Sequence, residues 1–361
     1  MNVVIAGGGT GGHLFPGIAV ARELLARDSS AAISFAGTAS GIEAVVVPRE
    51  GFALDLIRSG GLKGKSVAQR ARGAVLVPLG LIDAWRIISA RRPALVIGVG
   101  GYSSGPVVLV AALRGIPTML LEQNAVPGLT NRILARYVRA AAVSFESTRP
   151  FFGSKAFVSG NPVRPEFLAA AGPHKESGRD AATTRVLVFG GSQGAHAINM
   201  AMVEAAAELA AHGPHLRITH QTGERDVDMV RAAYRTARLD AAVEPFLHDM
   251  GRHLGDADLI VCRAGATTLA EVTAAGKAAV LIPLPTATDD HQRKNAEALT
   301  SVGAADLLLQ RELTGHALAG RILALARDPI RRDRMAAAAR ALARPDAARL
   351  IVDRALELAG T

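Results

Sequence analysis

One unit recurs along this chain and constrains its fold more than anything else: a short apolar run, a glycine-rich turn, then a stretch of helical period. Three such turns are Gly7-Gly8-Gly9-Thr10-Gly11-Gly12-His13, Gly98-Val99-Gly100-Gly101-Tyr102-Ser103-Ser104-Gly105-Pro106 and Gly190-Gly191-Ser192-Gln193-Gly194-Ala195-His196. The runs before them, Asn2–Gly7, Leu95–Gly98 and Arg185–Phe189, lack strict apolar–polar alternation, as strands of a parallel sheet covered on both faces do. Ala31–Ala36, Thr118–Glu122, Ala140–Ser144, Leu216–Gln221, Ala242–Pro245, Leu259–Cys262 and Ala279–Pro283 read the same way. Helical stretches such as Ile18–Arg27 lie between them. The alternation predicts βαβ units and a doubly wound α/β fold.

The pattern restarts midway. Residues Ala171–Thr184, rich in Gly, Ser, Pro, Ala and charge, read as a linker or exposed loop, and a new strand follows. We expect two Rossmann-like domains, 1–164 and 165–345, with the boundary near Asn161–Arg164. The helical stretch 346–361 is expected to pack back on the first domain. The Ala/Arg-rich run Arg331–Arg344 reads as a solvated helix. With 361 residues, 49% hydrophobic and 20% charged, the chain is not disordered, collagenous or a coiled coil. The single cysteine, Cys262, excludes a disulfide framework and a Cys-rich metal site, and fits a reducing compartment. No basic n-region precedes Met1–Ile5, so no signal peptide is expected. The uncharged stretch Pro93–Leu113 is long enough to span a bilayer. Gly98, Gly100, Gly101, Ser103, Ser104, Gly105 and Pro106 interrupt it, and it reads as strand, loop and helix.

Charge is lopsided. Residues 1–165 carry 18 Lys and Arg against 8 Asp and Glu, a formal +10, whereas residues 166–361 carry 23 against 24. The first half is expected to face an anion: nucleic acid, phosphate or an acidic membrane. The glycine loops favour phosphate. Glycine lets backbone N–H groups approach a ligand, and a helix N-terminus adds partial positive charge. Gly7, Gly9 and Gly12 also fit the GxGxxG dinucleotide pattern. That pattern asks for an acid at the end of the second strand, but Phe35-Ala36-Gly37-Thr38 holds none and the next is Glu43, which disfavours a nicotinamide or flavin enzyme. No GxxxxGK[ST] or kinase motif set is present.

Taken together, Gly7–Pro16, Gly98–Pro106, Leu121–Asn124, Gly160–Arg164, Gly190–Gly194, Cys262–Glu271 and Asp290–Ala296 resemble, in order and over about residues 1–355, the MurG-type glycosyltransferases of peptidoglycan synthesis. The resemblance implies the GT-B fold, two Rossmann-like domains facing across a cleft. It implies inverting transfer of N-acetylglucosamine (GlcNAc) from UDP-GlcNAc to the C4 hydroxyl of the muramyl sugar in lipid I. Lipid I is undecaprenyl-pyrophosphoryl-MurNAc-pentapeptide, and the product is lipid II for cell-wall synthesis, cell shape and division. The alternatives are another GT-B transferase or a UDP-GlcNAc epimerase. No cofactor, metal or nucleic acid is implied. Asp256-Ala257-Asp258 precedes a strand and reads as a helix-end pair.

By the same resemblance the second domain holds the donor. Glu271 would bind the ribose hydroxyls. Ala266, Thr267, Thr268, Leu269 and Ala270 would hold the nucleotide through main-chain groups, and the Leu247 backbone would read uracil. Ser192 and Arg164 would lie near the diphosphate. Gln292, with Asn295 one turn away, would bind GlcNAc. Thr10, Gly11, Gly12 and Asn124 would close over the donor from the first domain. Gly9, Gly100, Gly101, Tyr102 and Ser103 are expected on loops for the acceptor pyrophosphate. For the base that takes the acceptor's proton, His13 and Glu122 are rivals: His13 for its near-neutral pKa, Glu122 for its place at a strand's C-terminal end. This sequence has Ala264 where some relatives have serine, Thr267 where leucine is common, and Leu121 where many have histidine; the last removes one candidate acid–base group.

A lipid-borne acceptor implies a peripheral enzyme at the cytoplasmic face of the inner membrane, near other cell-wall and division proteins. Lys63, Lys65, Arg70 and Arg72 precede Val75, Leu76, Val77, Pro78, Leu79, Leu81, Ile82 and Trp85, an interfacial pattern. About half of those apolar residues are expected in the core instead.

Overall fold

The computed structural model describes residues 1–60, 67–169, 183–191, 193–212 and 215–360, with the side chains of 67–75, 169 and 212 set aside. Ser192, Lys63 and Lys65 therefore lie outside the described residues, as do most of the expected linker and the side chains of Arg70, Arg72 and Val75. The chain divides into two compact units: Met1–Val163 with Arg344–Thr361, and Arg164–Ala343.

The first unit is built on seven parallel strands: β1 (Asn2–Gly7), β2 (Ala32–Gly37), β3 (Ala53–Leu56), β4 (Leu95–Gly100), β5 (Thr118–Glu122), β6 (Ala140–Val143) and β7 (Ala156–Val158), in the order 3-2-1-4-5-6-7. Strand order reverses between β1 and β4, where ligands of open α/β sheets bind. The first glycine loop follows β1 and the second follows β4, so both lie at that switch point. The register slips there, Ala6 opposite Gly98 but Gly7 opposite Gly100.

Both faces of this sheet are covered, which is why its strands carry apolar residues at successive positions. Val3, Ile5, Phe35 and Leu95 face helices Gly11–Arg27 and Ala347–Ala359, the latter through Ile351, Val352 and Ala355. Arg27 on the first of these helices pairs with Asp353 on the last at 3.0 Å. Val4, Ala6, Val96 and Leu120 face the other side, against helices Val67–Arg91, Ser104–Leu113 and Leu129–Leu134.

The second unit repeats the plan with β8 (Thr184–Phe189), β9 (Leu216–Gln221), β10 (Asp240–Glu244), β11 (Leu259–Cys262), β12 (Ala278–Leu281) and β13 (Asp306–Leu307), all parallel, in the order 10-9-8-11-12-13. Its switch point lies between β8 and β11. The third glycine loop follows β8, and Arg263-Ala264-Gly265 follows β11.

Three strands were not expected from the sequence: β3, β7 and β13. They hold four, three and two residues at or beside sheet edges, too few for a period to register. The first helix starts at Gly11, seven residues before the expected Ile18, because Gly11, Gly12 and Pro16 read as breakers. Gly17 on this helix packs against the sheet, where an added Cβ would lie 3.2–3.4 Å from Val99, Ile5 and Phe35.

Candidate active site

In the second unit the expected donor residues gather around the ends of β11 and β12. Helix Ala266–Ala275 begins just past β11, its N-cap Gly265 has no side chain, and its first turn holds no acid. The first-turn N–H groups of Ala266, Thr267 and Thr268 therefore form a positive end suited to phosphate. Glu271, further along the same helix, is buried. Arg164 donates to its Oε1 at 3.2 Å, pairs with Glu166 at 3.3 Å and lies 4.5 Å over the Phe167 ring. Burial pushes the Glu271 carboxyl up to about 7, against the pull of the Arg164 charge. The positive charge of Arg164, expected at the diphosphate, is thus directed at two carboxylates.

Five side-chain bonds lace the loop after β11 to the loop after β12. The Gln292 carbonyl accepts the N–H groups of Ala264 (3.3 Å) and Leu284 (3.0 Å). Asn295 donates to the Ala264 carbonyl at 3.2 Å. Arg263 donates to the carbonyls of Ile282 (3.0 Å) and Pro283 (3.2 Å). Oε1 of Gln292 is committed to the frame, so its amide nitrogen is the group that can serve a sugar hydroxyl. The alanine at 264 removes no contact here, since its N–H and C=O are the groups used.

Leu247 departs from expectation. Its N–H donates to Gln221 Oε1 at 2.8 Å, while Gln221 Nε2 donates to the Gly191 carbonyl at 2.8 Å. The Leu247 amide is thus engaged within the protein. Gln221 itself, the last residue of β9, was missed; its position at a strand's C-terminal end was the available signal. Asp256 ends helix Met250–Asp256, and the Asp258 carboxylate accepts the Arg185 N–H at 2.9 Å. They form the helix-end pair that their position before β11 predicts.

In the first unit the glycine loops interlock. An added Cβ on Gly101 would lie 2.6 Å from the Gly8 carbonyl, and one on Gly7 2.5 Å from that of Gly100. One amide of the first loop is engaged within the chain, because Gly9 N–H donates to Glu43 Oε2 at 2.8 Å. Glu43 is buried, and its other oxygen accepts from Thr38 N–H and Thr38 Oγ1, both at 2.8 Å. Burial pushes its pKa up, but these donors outweigh it and hold the carboxyl below the usual range. The carboxylate fits because Gly8, Gly37 and Gly41 leave it room: a Cβ on any of them would come within 2.5 Å of Glu43 side-chain atoms. Where a dinucleotide-binding sheet would keep an acid for ribose, this chain turns its acid inward onto its own loop.

His13 lies in the first turn of helix Gly11–Arg27, whose N-cap is Thr10. Its Nδ1 is 3.3 Å from Gln123 Oε1. Glu122, the rival base, is at the end of β5 as expected but is buried. Its oxygens accept from Asn124 N–H (3.0 Å), Asn124 Nδ2 (3.3 Å), Gly128 N–H (3.0 Å) and Asn131 Nδ2 (2.8 Å). Burial pushes its pKa up. Four donors engage this carboxylate in shaping the loop from Gln123 to Asn131. Asn124 is correspondingly tied to that loop. Leu121 is buried in the core with Val3 and Ile5. A residue at this position points away from the loop, so the absence of histidine there removes no acid–base group from it. On the second loop Tyr102 is exposed and Ser103 buried.

Two parallel-sheet units, each with ligand loops at its switch point, define a GT-B glycosyltransferase. Residues 3–143 match the glycosyltransferase family 28 N-terminal domain, and residues 185–351 its C-terminal domain. The chain is 48% identical over 375 residues, covering 99% of each chain, to a protein of Pelobacter propionicus. That protein is named UDP-N-acetylglucosamine--N-acetylmuramyl-(pentapeptide) pyrophosphoryl-undecaprenol N-acetylglucosamine transferase. The crystal structure of Acinetobacter baumannii MurG is similar at a TM-score of 0.81, with 32% identity over 99% of both chains. A UDP-GlcNAc 2-epimerase from Neisseria meningitidis shares the fold (TM-score 0.70) at only 13% identity, over 99% of this chain and all of that one. The chain belongs to glycosyltransferase family 28 and, within it, to the MurG family.

Proposed function

We propose that this protein transfers GlcNAc from UDP-GlcNAc to the C4 hydroxyl of MurNAc in lipid I, giving lipid II and UDP. Near-half identity over essentially the whole chain to a transferase named for that reaction carries the proposal. The epimerase alternative rests on shared fold alone. Incubation with UDP-GlcNAc and a lipid I analogue tests it: UDP release that requires the acceptor is expected. UDP-ManNAc formed without acceptor would overturn it.

The second unit is the donor unit in this reading. The buried Glu271 carboxylate accepts hydrogen bonds from the ribose diol, and Arg164 holds that carboxylate in place. The N-terminus of helix Ala266–Ala275, with Leu269 and Ala270 continuing its first turns, receives negative charge as UDP departs. The Leu247 carbonyl reads the base, and the Gln292 amide nitrogen serves the sugar. Ser192 on the third loop is assigned to the donor from the sequence alone.

The first unit is the acceptor unit. His13 takes the proton of the C4 hydroxyl as the new C1–O4 bond forms; the C1–phosphate bond breaks in the same displacement, and its electron pair leaves with UDP. Thr10, Gly11 and Gly12 shape the helix start beneath His13. Gly100, Gly101, Tyr102 and Ser103 form the loop for the acceptor's pyrophosphate, while Gly9 acts through Glu43 instead.

The same unit supplies a membrane-facing surface. Val77, Ile82 and Trp85 are exposed on helix Val67–Arg91, and Leu113 is exposed at the end of the adjacent helix. Arg114 stacks over Trp85 at 4.6 Å. Beside them on the same sheet face, Leu129, Ile133 and Phe151 line a groove with Arg132, Arg136 and Lys155. Apolar side chains set among cations suit an anionic bilayer surface. No helix among the described residues is long and apolar enough to cross a membrane. We therefore assign the protein to the cytoplasmic face of the inner membrane as a peripheral enzyme. Sedimentation with anionic vesicles should fall with added salt and with Trp85→Ala; binding equal to neutral vesicles would refute the assignment.

A further inference from the structure

We infer that Gln123 sets the tautomer of His13 and so makes Nε2 the proton-accepting atom; this rests on the reading of His13 as base. Gln123 is buried beside β5, and its Nε2 donates to the Val99 carbonyl at 3.1 Å. A carbonyl oxygen only accepts, so the amide nitrogen must face Val99. The amide oxygen then faces His13, 3.3 Å from Nδ1. That oxygen also only accepts, so Nδ1 must carry the ring hydrogen. In a neutral imidazole the lone pair then resides on Nε2. The direction of one backbone carbonyl thus passes through one carboxamide to the basic atom of a histidine.

Two further features hold the ring. Gly100 has φ +98°, and a Cβ there would lie 2.8 Å from His13 Nδ1 and 2.9 Å from Cε1. A side chain at 100 would therefore displace the imidazole from Gln123. His13 also sits in the first turn of its helix, with its backbone N–H donating to the Thr10 carbonyl at 3.2 Å, which fixes where the ring leaves the main chain. The nearest acidic residues on the surrounding elements, Glu43 and Glu122, have their oxygens engaged by the loops described above. The orienting group is itself uncharged. It aims the ring without placing a negative charge beside it.

The full-length protein tests this directly. With 15N-histidine labelling, and His13→Asn to assign the resonance, His13 at high pH should show an Nε2 signal without hydrogen and a protonated Nδ1. An Nε2–H tautomer in the wild type overturns the inference without any variant at this position. Gln123→Leu should shift the ring toward the tautomer mixture of free histidine. It should also lower kcat about 10- to 100-fold while leaving KM for UDP-GlcNAc unchanged. Gln123→Glu keeps an acceptor but adds charge, and should move the acid limb of the kcat/KM profile up by about one pH unit or more. A purely structural role for Gln123 would not move that limb. If the Nδ1–H tautomer is found but Gln123→Glu leaves the profile in place, the tautomer stands and His13 is not the base.

Discussion

In the first unit the Gly9 amide donates to Glu43, an anion supplied by the chain itself. In the second unit the helix that starts after Gly265 has no acid in its first turn and no capping side chain. Both elements follow a strand beside the switch point of a parallel sheet. The comparison shows how one topology serves two purposes. In the first unit an internal carboxylate holds the Gly9 amide of the loop, while in the second the helix start after Gly265 has no side-chain cap and is suited to an incoming diphosphate. The histidines differ in the same sense. His220 in the second unit is fully buried between the Tyr234 hydroxyl (2.8 Å) and Asn199 Oδ1 (3.1 Å), and burial pushes its pKa down to about 3. His13 is only part-buried, in the first turn of its helix. Both rings are oriented by a carboxamide, but only one of the two, His13, is left partly open to solvent.

The sharpest way to break this division is His13→Ala. It should lower kcat by about 100- to 10,000-fold yet leave UDP affinity, measured by calorimetry, unchanged. A matching loss of UDP affinity would mean the donor does not belong to the second unit alone. Next in size is Glu43→Ala, which leaves the Gly9 and Thr38 donors without their acceptor. Thermal unfolding should show a loss of about 1–3 kcal/mol and kcat should fall, again with UDP binding intact.

Glu271→Gln should weaken UDP about tenfold at pH 8 with little effect on the chemistry of bound donor. Because the folded carboxyl titrates near 7, its ionised form, the better acceptor for a diol, grows as pH rises through 7. UDP affinity of the wild type should therefore climb between pH 6 and 8, and that of the variant should stay flat. Stability runs the opposite way. This group's contribution is full below about 4.5, where both states are protonated, and is lost as pH rises through about 7. The smallest effect is expected from Gln292→Glu, which preserves the acceptor for Ala264 and Leu284 but replaces the amide donor. KM for UDP-GlcNAc should rise a few-fold while affinity for UDP holds.

Much of the frame was legible in the residues. Strands buried on both faces announce themselves as continuous apolar runs, so the central strands of both sheets could be read; edge strands such as Asp306–Leu307 could not. The candidate donor residues stood out because they follow strands in long motifs. What the sequence could not convey was commitment. The four donors on Glu122 are invisible in the sequence, Leu247 looks free until Gln221 is found on its amide, and Glu43 looks remote from Gly9 across 34 positions. Each depends on a partner brought close only by folding, and a carboxamide such as Gln123 or Gln221 carries no charge or period to mark it.

The helix Ala347–Ala359 completes the hydrophobic core of the first unit although the whole second unit precedes it in the chain. On the ribosome, the amino-terminal half must therefore wait, its sheet only partly covered on one flank, until the entire downstream half has been translated. Nonsense mutations close to the stop codon would injure the half of the enzyme made first, and in a cell such truncations should surface as chaperone clients or protease substrates before they surface as faults in nucleotide recognition.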